Sequence, residues 1–273
     1  MTLNNGSVIP QLGFGVWQVE DEQAYSAVST ALQTGYRHID TARIYGNESG
    51  VGRAVRDSGL PRDEVFITTK LWNSDQGYDA TLRAFDESLE RLGTDFVDLY
   101  LIHWPTPALD RYLDTYRAFE KIYADGRAKA IGVSNFTPET LRRLVAESDI
   151  VPVLNQIELH PYFSQREMRE LATSLGVAVE AWSPLGQGGS LLAEPVLVQL
   201  AEKYGKTPAQ IVLRWHLQLG NIVIPKSVTP SRIAENIDVF DFELTDGDVA
   251  SITALDGPGG RIGPDPETFN FVG

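Results

Sequence analysis

Y-R-H-I-D (Tyr36 to Asp40), V-F-I-T-T-K (Val65 to Lys70) and V-D-L-Y-L-I-H (Val97 to His103) decide the fold of this chain. Each is a short apolar or β-branched run that reads as a buried strand, and each ends on an ionisable side chain. Working outward, strands are expected near Gly13 to Trp17, Arg37 to Asp40, Val65 to Lys70, Val97 to Ile102, Ala130 to Ser134, Val153 to Glu158, Ala178 to Trp182 and Ile222 to Pro225. Amphipathic helical stretches separate them at Asp21 to Thr34, Gly50 to Ser58, Ala80 to Leu92, Asp110 to Asp125, Pro138 to Glu147, Gln165 to Leu175, Pro208 to Leu219 and Ser231 to Asn236. Strands alternating with helices argue for βαβ units and a parallel sheet, and eight of each argue for a (β/α)8 barrel in the α/β class.

Local signals agree with these boundaries. Thr137-Pro138-Glu139 supplies an N-cap hydroxyl, a first-turn proline and a first-turn acid. Gly35, Gly59, Gly93, Gly176 and Gly220 each follow a helical stretch, where a left-handed stop is wanted. Leu3 to Pro10 reads as a hairpin turning at Asn5-Gly6 that could plug the bottom of the barrel. Thr245 to Leu255 reads as an extra helix, and the Gly- and Pro-rich remainder from Asp256 as a tail over one face. Nothing divides the 273 residues, a length suited to one barrel domain of about 250 residues spanning 1–273.

Composition narrows the function. A net charge of -14 repels nucleic acid and anionic membranes, so an anionic ligand must meet a local basic cluster. With no cysteine, thiolate chemistry and disulfides are excluded, and the four histidines show no metal-ligand spacing. The N-terminus has no signal-peptide pattern and no apolar run approaches membrane-spanning length, so a cytoplasmic protein is expected. Two N-x-S/T matches, at Asn47 and Asn135, are read as accidental.

The chemistry is suggested by position. Asp40, Tyr45, Lys70 and His103 all lie at or just past the C-terminal ends of early strands, where a (β/α)8 barrel carries its active site. A phenol, an ammonium, a carboxylate and an imidazole converging there suit proton delivery to an oxygen that gains negative charge. Taken singly, Asp40 could be a helix cap, and Lys70 and His103 satisfied surface groups.

Six stretches, G-Y-R-H-I-D-T-A-R-I-Y-G-N-E (Gly35 to Glu48), I-T-T-K-L-W (Ile67 to Trp72), D-L-Y-L-I-H-W-P (Asp98 to Pro105), I-G-V-S-N-F (Ile131 to Phe136), N-Q-I-E-L-H-P (Asn155 to Pro161) and I-P-K-S-V-T-P-S-R-I-A-E-N (Ile224 to Asn236), resemble the aldo-keto reductases. They follow the family's order over nearly the whole chain, and the short loop after His103 most resembles bacterial members such as the 2,5-diketo-D-gluconate reductases. The resemblance implies NADPH-dependent reduction of aldehydes and ketones. Tyr45 would be the general acid, Lys70 the cation that favours its ionised form, Asp40 the partner of Lys70, and His103 the group that orients the carbonyl oxygen.

No G-x-G-x-x-G or phosphate loop occurs, so a Rossmann domain is unsupported. The resemblance instead implies an extended dinucleotide across the barrel mouth. Ser134, Asn135 and Gln156 would hold its carboxamide and Trp182 would stack on the nicotinamide; many family members have tyrosine at that place. Ser183 to Gly188, including Leu185 and Gly186, would follow the pyrophosphate. Lys226, Ser227 and Arg232 would meet the 2′-phosphate, with Glu235 and Asn236 near adenine.

Trp17 and Trp104 would wall the substrate pocket, and Arg261 could either pair with a substrate carboxylate or be a solvated tail residue. Small dicarbonyls, aldehydes and keto-sugar acids such as 2,5-diketo-D-gluconate stay open as substrates, with a monomer expected. Two other readings are a Schiff-base lyase using Lys70 as nucleophile and a non-catalytic NADPH sensor.

Overall fold

Residues 1–272 are described by a computed structural model; Gly273, the last residue of the expected barrel span, lies outside them. In chain order the elements begin β1 (Phe14–Gly15), α1 (Asp21–Thr34), β2 (His38–Asp40), α2 (Glu48–Asp57), β3 (Phe66–Leu71), α3 (Tyr78–Leu92), β4 (Leu99–Ile102) and α4 (Tyr112–Ala124). They continue β5 (Ile131–Ser134), α5 (Pro138–Glu147), β6 (Leu154–Glu158), α6 (Arg166–Ser174), β7 (Ala178–Trp182), α7 (Pro195–Tyr204), α8 (Pro208–Gln218), β8 (Ile222–Val223), α9 (Pro230–Ile237) and α10 (Asp246–Thr253). The strands pair in chain order, every pair parallel. Parallel bridges from Leu12 to Val223 and from Gly15 to Lys226 join the first and last strands and close the (β/α)8 barrel.

Because side chains alternate along a strand, every second residue fills the barrel and the rest face the helices. On β3, Ile67 and Leu71 join the core beneath the helices, while Phe66 packs in a separate cluster with Leu99, Leu101, Ala130, Leu154 and Ile222. Leu3 and Ile9 of the N-terminal hairpin belong to that second cluster, so the hairpin plugs the N-terminal end of the barrel. Thr2 pairs antiparallel with Val8 and the turn passes through Gly6 at φ +86°. Going up the barrel the interior turns polar, with His38, Thr68, Gln156 and Glu180 all buried below the mouth. His38 fits because residue 13 is glycine: a Cβ there would stand 2.4 Å from its Nδ1.

Three N-caps have the full reciprocal pattern, at Thr137, Thr207 and Thr245. One helix escaped the sequence reading. The segment between β7 and α8 contains α7, which opens on Pro195, buries Leu197, Leu200 and Ala201, and stops at Gly205 with φ +63°. Its V-L-V start has strand-like composition, and the helical period shows only once Leu200 and Ala201 are counted. The tail after α10 crosses the C-terminal mouth: Trp72 Nε1 donates to Val272 O at 3.2 Å and Asn73 Nδ2 to Phe271 O at 2.8 Å. No helix among the described residues is long and apolar enough to cross a membrane.

Candidate active site

β2 and β3 bring the first pair together. Both Asp40 and Lys70 end inward-facing rows, and Lys70 Nζ donates to Asp40 Oδ1 at 2.6 Å and to Thr41 O at 2.9 Å. Burial alone would push the lysine down, but Asp40 and Tyr45 together raise it above the ordinary lysine value. A lysine held charged in this way is not a nucleophile, which argues against the Schiff-base reading.

Tyr45 follows β2 in a short helical turn, and Lys70 Nζ lies 5.2 Å from its ring centre. Burial pushes the phenol up and Lys70 pulls it down, with burial prevailing. The sequence led us to expect the reverse balance; the outcome is a tyrosine that stays protonated near neutrality, as a proton donor must. His103, just beyond β4, meets the Tyr45 ring edge-on at 5.7 Å and Trp72 at 5.3 Å. Burial and the Lys70 charge hold it well below the usual histidine range, so it is a neutral imidazole.

A second network spans β5, β6 and β7. Asn135, in the left-handed region at φ +61°, donates through Nδ2 to His103 O at 2.9 Å and to Ser134 Oγ at 3.1 Å. Its Oδ1 accepts from Trp182 Nε1 at 2.8 Å, and Ser134 Oγ donates to Gln156 O at 2.8 Å. Gln156 Nε2 donates to Asp40 Oδ2 and to Glu180 Oε2, both at 2.8 Å. Glu180 went unnoticed in the sequence, although a carboxylate centred in the apolar run A-V-E-A-W was the signal to follow.

Most of these groups bound one cavity of about 870 Å³, with Lys70 and Glu180 buried behind its wall. Its wall includes Asp40, Tyr45, His103, Ser134, Asn135, Gln156 and Trp182, then Ser183 and Leu185, and at the far end Lys226, Ser227, Arg232, Glu235 and Asn236. Trp17 and Trp104 also line it, while Lys70 lies fully buried behind. Gly186 is the exception: it is not part of the wall, and a Cβ there would meet Leu191. Trp72, Ile44 and Phe269 are wall residues the sequence reading did not single out. Trp72, two residues past Lys70 at a strand end, was the one most open to discovery.

Lys226 and Arg232 are exposed, and among the described residues neither has a carboxylate within ion-pair distance. Arg261, by contrast, sits over the Phe163 ring at 4.7 Å and lines a separate cavity of about 100 Å³ with Glu158 and Asp265. No metal-holding cluster of His, Cys, Asp and Glu occurs among the described residues.

The closed (β/α)8 barrel thus holds a buried Asp-Lys pair beneath a protonated tyrosine and a neutral histidine, a set suited to an enzyme that delivers a proton to an oxygen gaining negative charge. The profile described as "Aldo/keto reductase family" matches residues 11–257, and the chain belongs to that family. It is 60% identical over 273 residues to an aldo-keto reductase of Mycolicibacterium smegmatis, covering 100% of this chain and 98% of the other. To methylglyoxal reductase DkgA of Escherichia coli it is 50% identical over 98% of this chain and 96% of the other. Among solved structures, a Gox0644 mutant in complex with NADPH superposes with a TM-score of 0.95 at 48% identity, covering 99% of this chain and 98% of that one.

Proposed function

We infer that this protein reduces small, uncharged aldehydes and ketones with NADPH, and that Tyr45 donates the proton. The observation that carries the reading is the Tyr45 phenol, protonated at the cavity wall with the Lys70 ammonium 5.2 Å from its ring. When bound, a reduced nicotinamide supplies the hydride to the carbonyl carbon. Tyr45 gives its proton to the carbonyl oxygen, which becomes the alcohol, and the phenolate left behind faces Lys70. Asp40 keeps that lysine charged and fixed through the 2.6 Å contact. Neutral His103 offers one N–H to the same oxygen before the proton moves.

The cavity suits the cofactor on three counts. Its far end holds two exposed cations with no ion-pair partner among the described residues, fitting a phosphate. Trp182 presents an indole held by Asn135, fitting a flat ring. Gln156, with both amide hydrogens committed to Asp40 and Glu180, keeps Oε1 as an acceptor for a carboxamide N–H. The NADPH complex of the similar Gox0644 mutant supports the same choice.

Substrate class follows from the opposite end. Trp17, Tyr45, Trp72, Trp104 and Phe269 line it, and among the described residues the cavity wall holds only two lysine or arginine side chains, Lys226 and Arg232, both at the far end. Arg261 lies in the other cavity. A substrate carboxylate therefore meets aromatic faces and no cation, which favours uncharged dicarbonyls and aldehydes over keto-sugar acids. The name of the similar methylglyoxal reductase points the same way. The test is NADPH oxidation with methylglyoxal, an aromatic aldehyde and 2,5-diketo-D-gluconate. We expect kcat/KM at least about tenfold higher for the uncharged compounds; a preference for the acid would sink the substrate assignment, and no turnover with any carbonyl would leave NADPH sensing as the better reading.

A further inference from the structure

Glu180 is a buried carboxyl that none of the steps above uses. It sits one inward position below Trp182 on β7, fully enclosed. Facing it are Asp40 and His38 from β2, Lys70 from β3 and Gln156 from β6; His38 Nε2 lies 3.6 Å from its Oε1, and Gln156 Nε2 donates to its Oε2 at 2.8 Å. Its Oε1 has no hydrogen-bond partner.

The geometry of Gln156 depends on this group. An amide presents an NH₂ face and a carbonyl face, and rotation by half a turn exchanges them. One carboxylate, Asp40, can bind one of the two N–H groups; the second needs its own acceptor. Glu180 is that acceptor, so the NH₂ face is fixed toward the barrel interior and Oε1 is left uncommitted. With Glu180 absent, one N–H would be buried without a partner and the flipped amide would become competitive.

We propose that Glu180 is a positioning residue that sets cofactor recognition by locking the Gln156 amide with its carbonyl available to a carboxamide N–H. The proposal rests on the nicotinamide reading given above. Burial and the neighbouring Asp40 push Glu180 up to about 8, so near neutrality it is a neutral carboxyl whose carbonyl oxygen still accepts from Gln156.

The test compares binding of NADP+ with that of its 3-acetylpyridine analogue, which keeps the carbonyl but has no amide N–H to offer. Tryptophan fluorescence of the full chain reports both. Wild type should bind NADP+ about tenfold more tightly than the analogue, the worth of one buried hydrogen bond. Glu180→Leu should lose that preference, and Glu180→Gln, which still offers an acceptor oxygen, should retain it. If Glu180→Leu does not fold, Glu180→Met, close to glutamate in volume, takes its place. An unchanged preference in the Leu or Met variant would overturn the proposal while leaving the reductase reading intact. Wild type that binds neither dinucleotide would overturn that reading, and the proposal with it.

Discussion

The indole of Trp182 is tied to Asn135: its Nε1 donates to Asn135 Oδ1 at 2.8 Å, while Asn135 Nδ2 donates to His103 O at 2.9 Å. A flat ring on β7 is thereby coupled through the loop after β5 to the strand end that carries the imidazole. Trp182→Phe keeps an aromatic face but loses the tie and the outer part of the indole, so KM for NADPH should rise roughly three- to tenfold with little change in kcat. Asn135→Ala removes all three side-chain bonds and puts alanine at φ +61°, and should also lower stability by about 1–3 kcal/mol. Steady-state kinetics and thermal melting of the two variants check both statements.

Lys226 and Arg232 stand exposed at the far end of the cavity. If they hold the 2′-phosphate, Lys226→Ala with Arg232→Ala should raise KM for NADPH by roughly 10- to 100-fold and leave NADH kinetics nearly unchanged. Equal loss with both dinucleotides would place the phosphate elsewhere.

Glu158 fastens the tail. Its Oε1 accepts from Ile262 N at 2.5 Å and His160 Nε2 lies 3.0 Å away, while Oε2 accepts from Gly263 N at 2.8 Å. Gly263 is pressed so closely on the indole that a Cβ would lie 2.4 Å from Trp182 Cη2. Glu158→Ala should free this segment, making it quickly cleaved by protease and raising KM for the carbonyl compound through loss of the Phe269 wall. Limited proteolysis with intact-mass detection reads the first effect; a tail as resistant as in wild type would contradict it.

A pH dependence of stability follows from Glu180. Burial and Asp40 raise its carboxyl from 4.5 to about 8, so the folded state holds a proton that the unfolded chain releases at lower pH. The contribution is fully present below about 4.5 and is lost as pH rises through about 8. In Glu180→Gln that decline should flatten, and the gap between the two proteins should be widest at pH 8 and above. Denaturant midpoints between pH 5 and 9 measure it; parallel curves would show that Glu180 does not titrate in this window.

Much of this arrangement was readable from the chain. The strand-end positions of Asp40, Lys70 and His103 follow from alternation alone, since every second residue of a barrel strand points inward and the last one reaches the mouth. Trp182 and Ser134, which only the family resemblance singled out, also end inward-facing rows, on β7 and β5. The tail contacts of Phe269 and Phe271 could not be read, because an irregular segment carries no period and its place depends on acceptors and donors about 100 to 200 residues away in sequence. The direction in which the Tyr45 phenol is shifted was hidden: proximity to Lys70 suggests a lowered phenol, and only the three-dimensional burial reverses the sign.

In the proposed mechanism Tyr45 is the proton donor while other residues bind the cofactor, and Tyr45→Phe separates the two roles. NADPH binding should be measured by fluorescence and turnover of methylglyoxal by loss of nicotinamide absorbance, on the same preparation. NADPH affinity should stay within about threefold of wild type, and the turnover number should fall by at least about a thousandfold. A variant that binds NADPH and still reduces methylglyoxal near the wild-type rate would contradict that mechanism.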